Sequence, residues 1–153
     1  MHLFVDTNAF LFLLRKGKGW EKIAEMLDSK ENDLHTSLVV LNELKFKLLW
    51  IGASESLRTE KKHEILRFIK ADKDFREKTM KSYLEFYFTL LPVFKIHPLS
   101  QSCEIPSIAY SSRYGLLPTD TYILATMKQE NIFNILTNDK DFDSIPEISV
   151  LRF

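Results

Sequence analysis

Cysteine and glycine are scarce in this sequence, and neither sign of charge is in excess. Cys103 is the only cysteine, so an internal disulfide and a zinc site built on several thiolates are excluded, and a reducing compartment is favoured. Lysine plus arginine and aspartate plus glutamate both total 21, so no overall positive field attracts a nucleic acid, and any polyanion must be bound locally. The four glycines are scattered, and no repeat or linker rich in Gly, Pro or Ser divides the chain.

Long hydrophobic runs are missing as well. The longest, such as residues 9–14, falls far short of the roughly 20 residues that a membrane helix requires, and the first residues lack the pattern of a secretory signal. We therefore expect a soluble, cytoplasmic protein with no membrane partner. The 153 residues, 45% of them hydrophobic, suffice for one core, which predicts a single domain over residues 1–153.

Short apolar segments of β type alternate with helical segments. Five segments predict strands, at 2–5, 33–36, 93–96, 133–137 and 149–153. Helical patterns predict helices at 9–15, 20–29, 107–114 and 119–129, and a helix that is capped by Ser37 and ends near Gly52. The charged stretch from Ser54 to Pro92 predicts an antiparallel helical hairpin with its break at 71–74. This alternation predicts a three-layer α/β/α sandwich around a central, mostly parallel five-stranded sheet.

Acidic side chains follow two of the predicted strands. HLFVDTN delivers Asp6 and then Thr7 and Asn8, and FNILTND delivers Thr137 and then Asp139. The carboxyl ends of parallel strands meet at one edge of the sheet, where ligands bind in open α/β folds. The two acids therefore predict one shared site.

Two further carboxylates lie on predicted helices. Glu43 is surrounded by apolar residues in LVVLNELKFKLL, where only Lys47 offers local charge pairing. Burying an unpaired carboxylate costs several kcal/mol in order of magnitude, so pairing, protonation or a bound cation is expected there. Asp120 opens the helix in LLPTDTYILATM. A surface position for Glu43 and a role for Asp120 at the positive end of the helix dipole are the simpler alternatives.

With VDTN, LVVLNEL, DTYILATM and TNDKDF in this order, nearly the whole sequence resembles the PIN-domain family, which includes VapC-type toxins of toxin–antitoxin pairs. The resemblance implies an α/β/α sandwich that gathers acids around Mg²⁺ or Mn²⁺ and hydrolyses RNA phosphodiesters, leaving 5′-phosphate and 3′-hydroxyl ends. It also implies a small antitoxin partner and a homodimer. The residues that it implies as both catalytic and metal-binding are Asp6, Glu43, Asp120 and Asp139.

The same resemblance implies polar supports near the metal, Asn8 and Thr137. Asp141 and Asp143 are alternative late ligands, which leaves Asp139 the least certain of the four acids. Asn42 stands where the family more often has a small residue.

Metal-assisted hydrolysis of a phosphodiester independently favours such a set of acids. Carboxylate oxygens suit Mg²⁺ and Mn²⁺, and a bound ion lowers the pKa of water to give a nucleophile near neutral pH. Four crowded carboxylates without an ion should repel one another and raise their own pKa values, so metal binding should stabilise the protein. Predicted phosphate contacts are Arg113 and either Lys47 or Lys45, while the aromatic residues at 83–87 have the spacing of a core or dimer face.

Two other classes of function compete with the nuclease. A haloacid-dehalogenase-like phosphatase also begins with a strand that ends in an aspartate, but it needs a second acid two residues later, where this chain has Asn8. A non-catalytic module of the same fold would bind RNA or protein without cutting. A zinc site is not predicted, because the four histidines are far apart in the sequence and lack ligand spacing.

Overall fold

Five parallel strands form a central sheet with the first strand in its middle. The computed structural model describes residues 1–153, and the strand order is β3-β2-β1-β4-β5 with every neighbouring pair parallel. The strands are β1 (His2–Val5), β2 (Asp33–Ser37), β3 (Lys95–His97), β4 (Asn134–Leu136) and β5 (Ser149–Leu151). The predicted five-stranded sheet is confirmed, and it is parallel throughout.

Seven α-helices connect and flank these strands. They are α1 (Thr7–Leu14), α2 (Trp20–Asp28), α3 (Leu38–Leu57), α4 (Lys62–Ala71), α5 (Lys73–Thr89), α6 (Glu104–Tyr114) and α7 (Pro118–Gln129). The predicted α/β sandwich is confirmed. None of the helices combines the length and apolar character that crossing a membrane would require.

A core of 24 buried hydrophobic residues surrounds β1. Leu3, Phe4 and Val5 are each 0% exposed, so the central strand is covered on both faces, as parallel strands usually are. The ring of Phe10 lies edge-on to Phe86, with 5.2 Å between the ring centroids, which ties α1 to α5. The aromatic stripe of α5 is therefore partly core, as its spacing predicts.

The helix α3 starts where predicted but ends later. The Ser37 hydroxyl accepts a hydrogen bond from the Val40 N–H at 3.3 Å, which confirms the predicted cap. The predicted end near Gly52 is wrong, since the helix continues to Leu57 and stops at Arg58, which has a left-handed φ of 51°. A Cβ at Gly52 would lie 3.2 Å from the ring of Phe75, so the glycine allows α5 to pack closely rather than ending the helix.

The helical hairpin breaks at Asp72, inside the predicted interval. The Asp72 carboxylate accepts a hydrogen bond from the Phe75 N–H at 2.8 Å, and thereby caps α5. The rings of Phe68 and Phe75 lie 5.1 Å apart across the break. Elsewhere the boundaries shift slightly: α6 begins at Glu104 rather than 107, and β3 begins at Lys95 because Val93 belongs to a 3₁₀ turn.

The histidines depart from the sequence expectation. Strands β1, β2 and β3 bring His2, His35 and His97 together, with 3.1 Å between His2 Nδ1 and His35 Nε2 and 2.9 Å between His35 Nδ1 and His97 Nε2. The four histidines are far apart in the sequence, but three of them meet in the folded sheet, so the expectation that they form no cluster is wrong. Contacts of this kind depend on strand register, which sequence spacing does not reveal.

Candidate active site

Asp6 lies at the end of β1, beside the end of β4. Its carboxylate is buried, and its Oδ2 atom accepts a hydrogen bond from the Thr137 hydroxyl at 2.7 Å. The same hydroxyl accepts a hydrogen bond from the backbone N–H of Asp139 at 3.0 Å. Because β1 and β4 are neighbours, Thr137 links the two strand-end acids directly. Asp6 occupies the N-cap position of α1, but its side chain does not cap that helix.

Glu43 reaches the same region from α3, which begins directly after β2. The Thr7 hydroxyl donates a hydrogen bond to its Oε2 atom at 2.6 Å, and Lys47 Nζ lies 2.9 Å from its Oε1 atom. The Glu43 side chain is only 24% exposed, so it is neither a solvated surface group nor an isolated buried charge. Thr7 and Lys47 together hold this carboxylate next to Asp6.

Asp120 lies in the first turn of α7, partly buried. Burial, the largest cause, and the negative charges of Asp139, Asp6, Glu43 and Asp141, in that order of effect, together raise its pKa from an ordinary value of 3.8 to about 7. Asp120 therefore lies within electrostatic reach of all the other acids. Burial also raises the pKa of Asp6, and the charge of Glu43 adds to this, while the hydrogen bond from Thr137 acts in the opposite direction.

The late acids differ from one another in their partners. The Oδ1 atom of Asp139 accepts a hydrogen bond from the Asp141 N–H at 3.0 Å, and Asp141 itself is exposed. Asp143 forms an ion pair with Arg152, so its charge is already compensated. Arg152 also donates hydrogen bonds to the carbonyl oxygens of Thr137 at 2.8 Å and Asp139 at 2.9 Å, and so fixes the loop that carries Asp139.

The remaining predicted contacts fall into two groups. Lys47 lies at the acids, and its charge also lowers the pKa of Asp6. Arg113 does not: it is exposed at the end of α6, with its guanidinium 5.2 Å from the ring centroid of Tyr114. Lys45 lies over the ring of Tyr83, at 5.9 Å.

Asn8 is partly buried and its side chain makes no hydrogen bond, whereas its neighbour Thr7 binds Glu43. The role of Asn8 as a polar support near the metal stays a prediction, whereas sequence reasoning did not single out Thr7 as the contact of Glu43 and missed Arg152 altogether. Thr7 and Asn8 are the first two residues of α1, and only the directions of their side chains distinguish them. No signal in the sequence marked Arg152.

A largely apolar groove of about 440 Å³ opens beside Glu43. Phe46 and Leu99, which line it, are 52% and 54% exposed. Its other lining residues come from α3 and from the start of α7: Leu38, Val39, Asn42, Pro118, Thr119 and Tyr122. The acids therefore adjoin a surface that can hold an apolar or aromatic group.

Comparisons with known proteins agree with this fold. A sequence model described as PIN domain matches residues 3–148. Ribonuclease VapC6 of Methanocaldococcus jannaschii is 27% identical to this chain over an alignment 161 residues long, and the alignment covers 99% of this chain and 97% of VapC6.

Two solved structures share the fold over almost their full length. One is VapBC2 from Rickettsia felis bound to a DNA fragment from the VapBC2 promoter. It is 20% identical to this chain, the match covers 100% of this chain and 99% of that chain, and the TM-score is 0.64. The other is a toxin–antitoxin complex from Klebsiella pneumoniae, with 22% identity, coverage of 99% and 96%, and a TM-score of 0.60. The fold and the match over most of the sequence lead to one conclusion: the chain belongs to the PIN domain family.

Proposed function

We propose that the chain is a Mg²⁺- or Mn²⁺-dependent endoribonuclease that hydrolyses RNA phosphodiester bonds. The observation that carries the proposal is the gathering of the four acids: burial, together with the charges of Asp139, Asp6 and Glu43, raises the pKa of Asp120 to about 7. The name of the relative Ribonuclease VapC6 supports the same activity. We propose Asp6, Glu43, Asp120 and Asp139 as the catalytic and metal-binding residues of one domain that spans residues 1–153.

The donor set of these residues fits a hard divalent cation. All four side chains offer carboxylate oxygens, and histidine and thiolate are absent from their hydrogen-bond partners. Their burial and mutual repulsion make the ionised state costly, so a cation would be held by favourable charge neutralisation. When bound, such an ion lowers the pKa of a water molecule and offsets the charge of the phosphate.

Neighbouring side chains fix these carboxylates before substrate arrives. Thr137 orients Asp6 and the start of the Asp139 loop, while Thr7 orients Glu43. Preorganised groups avoid reorganisation during the reaction, which is why such hydrogen bonds matter for rate as well as for stability. In the ion-free protein at neutral pH, a proton resides on Asp120 for about half of the time, because its pKa is about 7.

RNA contacts are proposed on the same side of the molecule. Lys47 is the better placed of the predicted phosphate contacts, since it lies at the acids, and Arg113 would contact only a more distant part of the substrate. The exposed ring of Phe46 in the adjoining groove offers a base a stacking surface. An RNA substrate would place the activity in the cytoplasm.

We further propose that the protein is the toxin of a toxin–antitoxin pair, with a small antitoxin as partner. The structural likeness to the Klebsiella pneumoniae toxin–antitoxin complex supports this proposal. The exposed Leu84 and Phe88 on α5, at 50% and 71%, are candidates for a homodimer face. A small open reading frame directly upstream whose product co-purifies with this chain would support the partner, and light scattering of the purified product tests the dimer.

Cleavage assays with single-stranded and structured RNA test the activity. Wild type should cut with Mg²⁺ or Mn²⁺ and not with EDTA, and Asp6→Asn should not cut. Asp143→Asn is the matched control, because Asp143 pairs with Arg152 outside the four acids, and it should keep activity. Cleavage by Asp6→Asn in EDTA would refute metal-assisted hydrolysis. RNA binding without cleavage would indicate a non-catalytic module, and hydrolysis of small phosphate esters alone would indicate a phosphatase.

A further inference from the structure

A second cluster of ligand atoms lies on the sheet outside the acids. His2 Nδ1, Asp33 Oδ2 and His35 Nε2 form a triangle with sides of 2.9, 3.1 and 3.3 Å. The register pairs His2 with Asp33, and Asp33 and His35 lie two residues apart on β2, so all three side chains share one face of the sheet. Strand pairing therefore assembles this cluster.

The geometry points to a binding site for a divalent transition-metal ion of the Zn²⁺ class, held by His2, Asp33 and His35. Ligand bonds of about 2.0–2.1 Å in a tetrahedral site place ligand atoms about 3.3 Å apart, close to the sides of this triangle. Two imidazole nitrogens and one carboxylate oxygen favour Zn²⁺ over Mg²⁺. The His2 side chain is 61% exposed, so the fourth position is open to water.

A chain of hydrogen bonds behind the cluster fixes the tautomer of His35. His35 Nδ1 faces His97 Nε2 at 2.9 Å, and His97 Nδ1 faces Glu130 Oε2 at 3.5 Å. With neutral rings, a proton on His97 Nδ1 serves Glu130 and places the next proton on His35 Nδ1. His35 Nε2 then presents a lone pair on the side of His2 Nδ1 and the Asp33 carboxylate.

The opposite arrangement of protons would leave His97 Nδ1 and Glu130 facing each other as two acceptors, so it is disfavoured. The favoured arrangement keeps the lone pair of His35 Nε2 on the side of His2 and Asp33, where a metal ion would use it as it stands. Glu130 and His97 would then act as positioning residues that fix the tautomer of His35.

Lys95 is the cationic side chain that contacts the cluster in this structure. Lys95 Nζ lies 2.7 Å from Asp33 Oδ2, but its side chain is 62% exposed and can swing into solvent at little cost, as exposed ion pairs are weak. Asp6 follows His2 by four residues along the same extended segment, which corresponds to about 13 Å. One ion cannot bridge that distance, so this site is separate from the acids.

Metal titration with matched variants tests the site. Zn²⁺ binding is measured by competition with a chelating indicator in excess Mg²⁺, which occupies hard oxygen sites, and Co²⁺ is used as a spectroscopic probe. Wild type should bind Zn²⁺ and show the visible bands of four-coordinate Co²⁺, and His2→Gln should lose both. His97→Gln should weaken binding by about 10- to 100-fold, as other changes behind a metal ligand do.

Two controls separate this site from other histidines and from the acids. His63→Gln alters the one histidine that belongs neither to the cluster nor to the hydrogen bonds behind it; His63 is 80% exposed, and the variant should bind Zn²⁺ as wild type does. Asp120→Asn should also keep Zn²⁺ binding. Equal Zn²⁺ affinity in wild type and His2→Gln would overturn the inference, and so would loss of binding in Asp120→Asn alone. Circular dichroism of each variant without metal checks that the substitution leaves the protein folded. RNA cleavage is not the readout, so failure here leaves the proposed nuclease untouched.

Discussion

Replacing Asp120 by Asn should stabilise the metal-free protein at alkaline pH. Burial and four neighbouring acids raise the pKa of Asp120 to about 7 in the folded state, against 3.8 ordinarily. The folded state therefore binds this proton more tightly than the unfolded chain does. Linkage then requires the stability of the wild type to fall as the pH rises from about 4 to about 7. Asn cannot ionise, so the variant escapes that loss.

The size of the effect follows from the shift in pKa. A displacement from 3.8 to about 7 corresponds to about 4 kcal/mol at full strength. Asp120 is partly exposed, and solvent screening reduces this to about 2 kcal/mol. Loss of the favourable charge at the start of α7 subtracts about 0.5 kcal/mol. The expected gain at pH 8 is thus about 1.5 kcal/mol, or about 3–6 °C in Tm, and it shrinks to about a quarter at pH 4.5.

Urea unfolding in EDTA at pH 4.5 and pH 8 measures this difference. Asp143→Asn is the control, since its partner Arg152 already compensates the charge, and it should show no gain at pH 8. Adding Mg²⁺ should stabilise wild type more than Asp120→Asn and so reduce or reverse the order. An Asp120→Asn protein less stable than wild type at pH 8 in EDTA would refute the electrostatic argument.

Three further changes test the site and its scaffold. Thr137→Val removes the hydrogen bonds that the Thr137 hydroxyl makes with Asp6 and with the Asp139 N–H. The free energy of unfolding in urea should fall by about 1–3 kcal/mol, and most of the RNA cleavage should be lost. Unchanged cleavage would contradict the positioning role. Lys47→Met should lower kcat/KM for RNA, and the slope of log binding constant against log salt concentration should fall by about 1, the value of one phosphate contact. Arg113→Met should change both quantities less. Gly52→Ala places a Cβ 3.2 Å from a ring of α5, and this crowding should outweigh the better helix propensity of alanine and lower the Tm, with a rise in Tm counting against close packing.

Much of the fold was predictable, because local patterns determine it. The short apolar run from Leu3 to Val5 predicts a buried strand, which the structure places in the middle of the sheet, and the hydroxyl of Ser37 caps α3 as its position predicts. The convergence of Asp6 and Asp139 follows from a general property of parallel sheets, namely that carboxyl ends share one edge. The membership in the PIN domain family rests on a sequence match over residues 3–148.

The remainder depends on packing between distant residues. Gly52 reads as a helix end, but its role is set by the ring of Phe75 on another helix. The contact of Thr7 rather than Asn8 with Glu43 depends on the side-chain direction at the start of α1. The meeting of His2 and His35 requires the register of β1 and β2, which one residue of slippage would abolish.

Arg152 makes the acids sensitive to the outermost strand of the sheet. It follows β5, an edge strand, and its hydrogen bonds hold the carbonyl groups on either side of Asn138. Edge strands open more readily than central ones, so fraying of β5 would release Asp139 while Asp6 stays rigid. A protein that added a strand to this free edge would thus tighten the loop that carries Asp139 without touching it, and amide hydrogen exchange in β5 would report how firmly that loop is held.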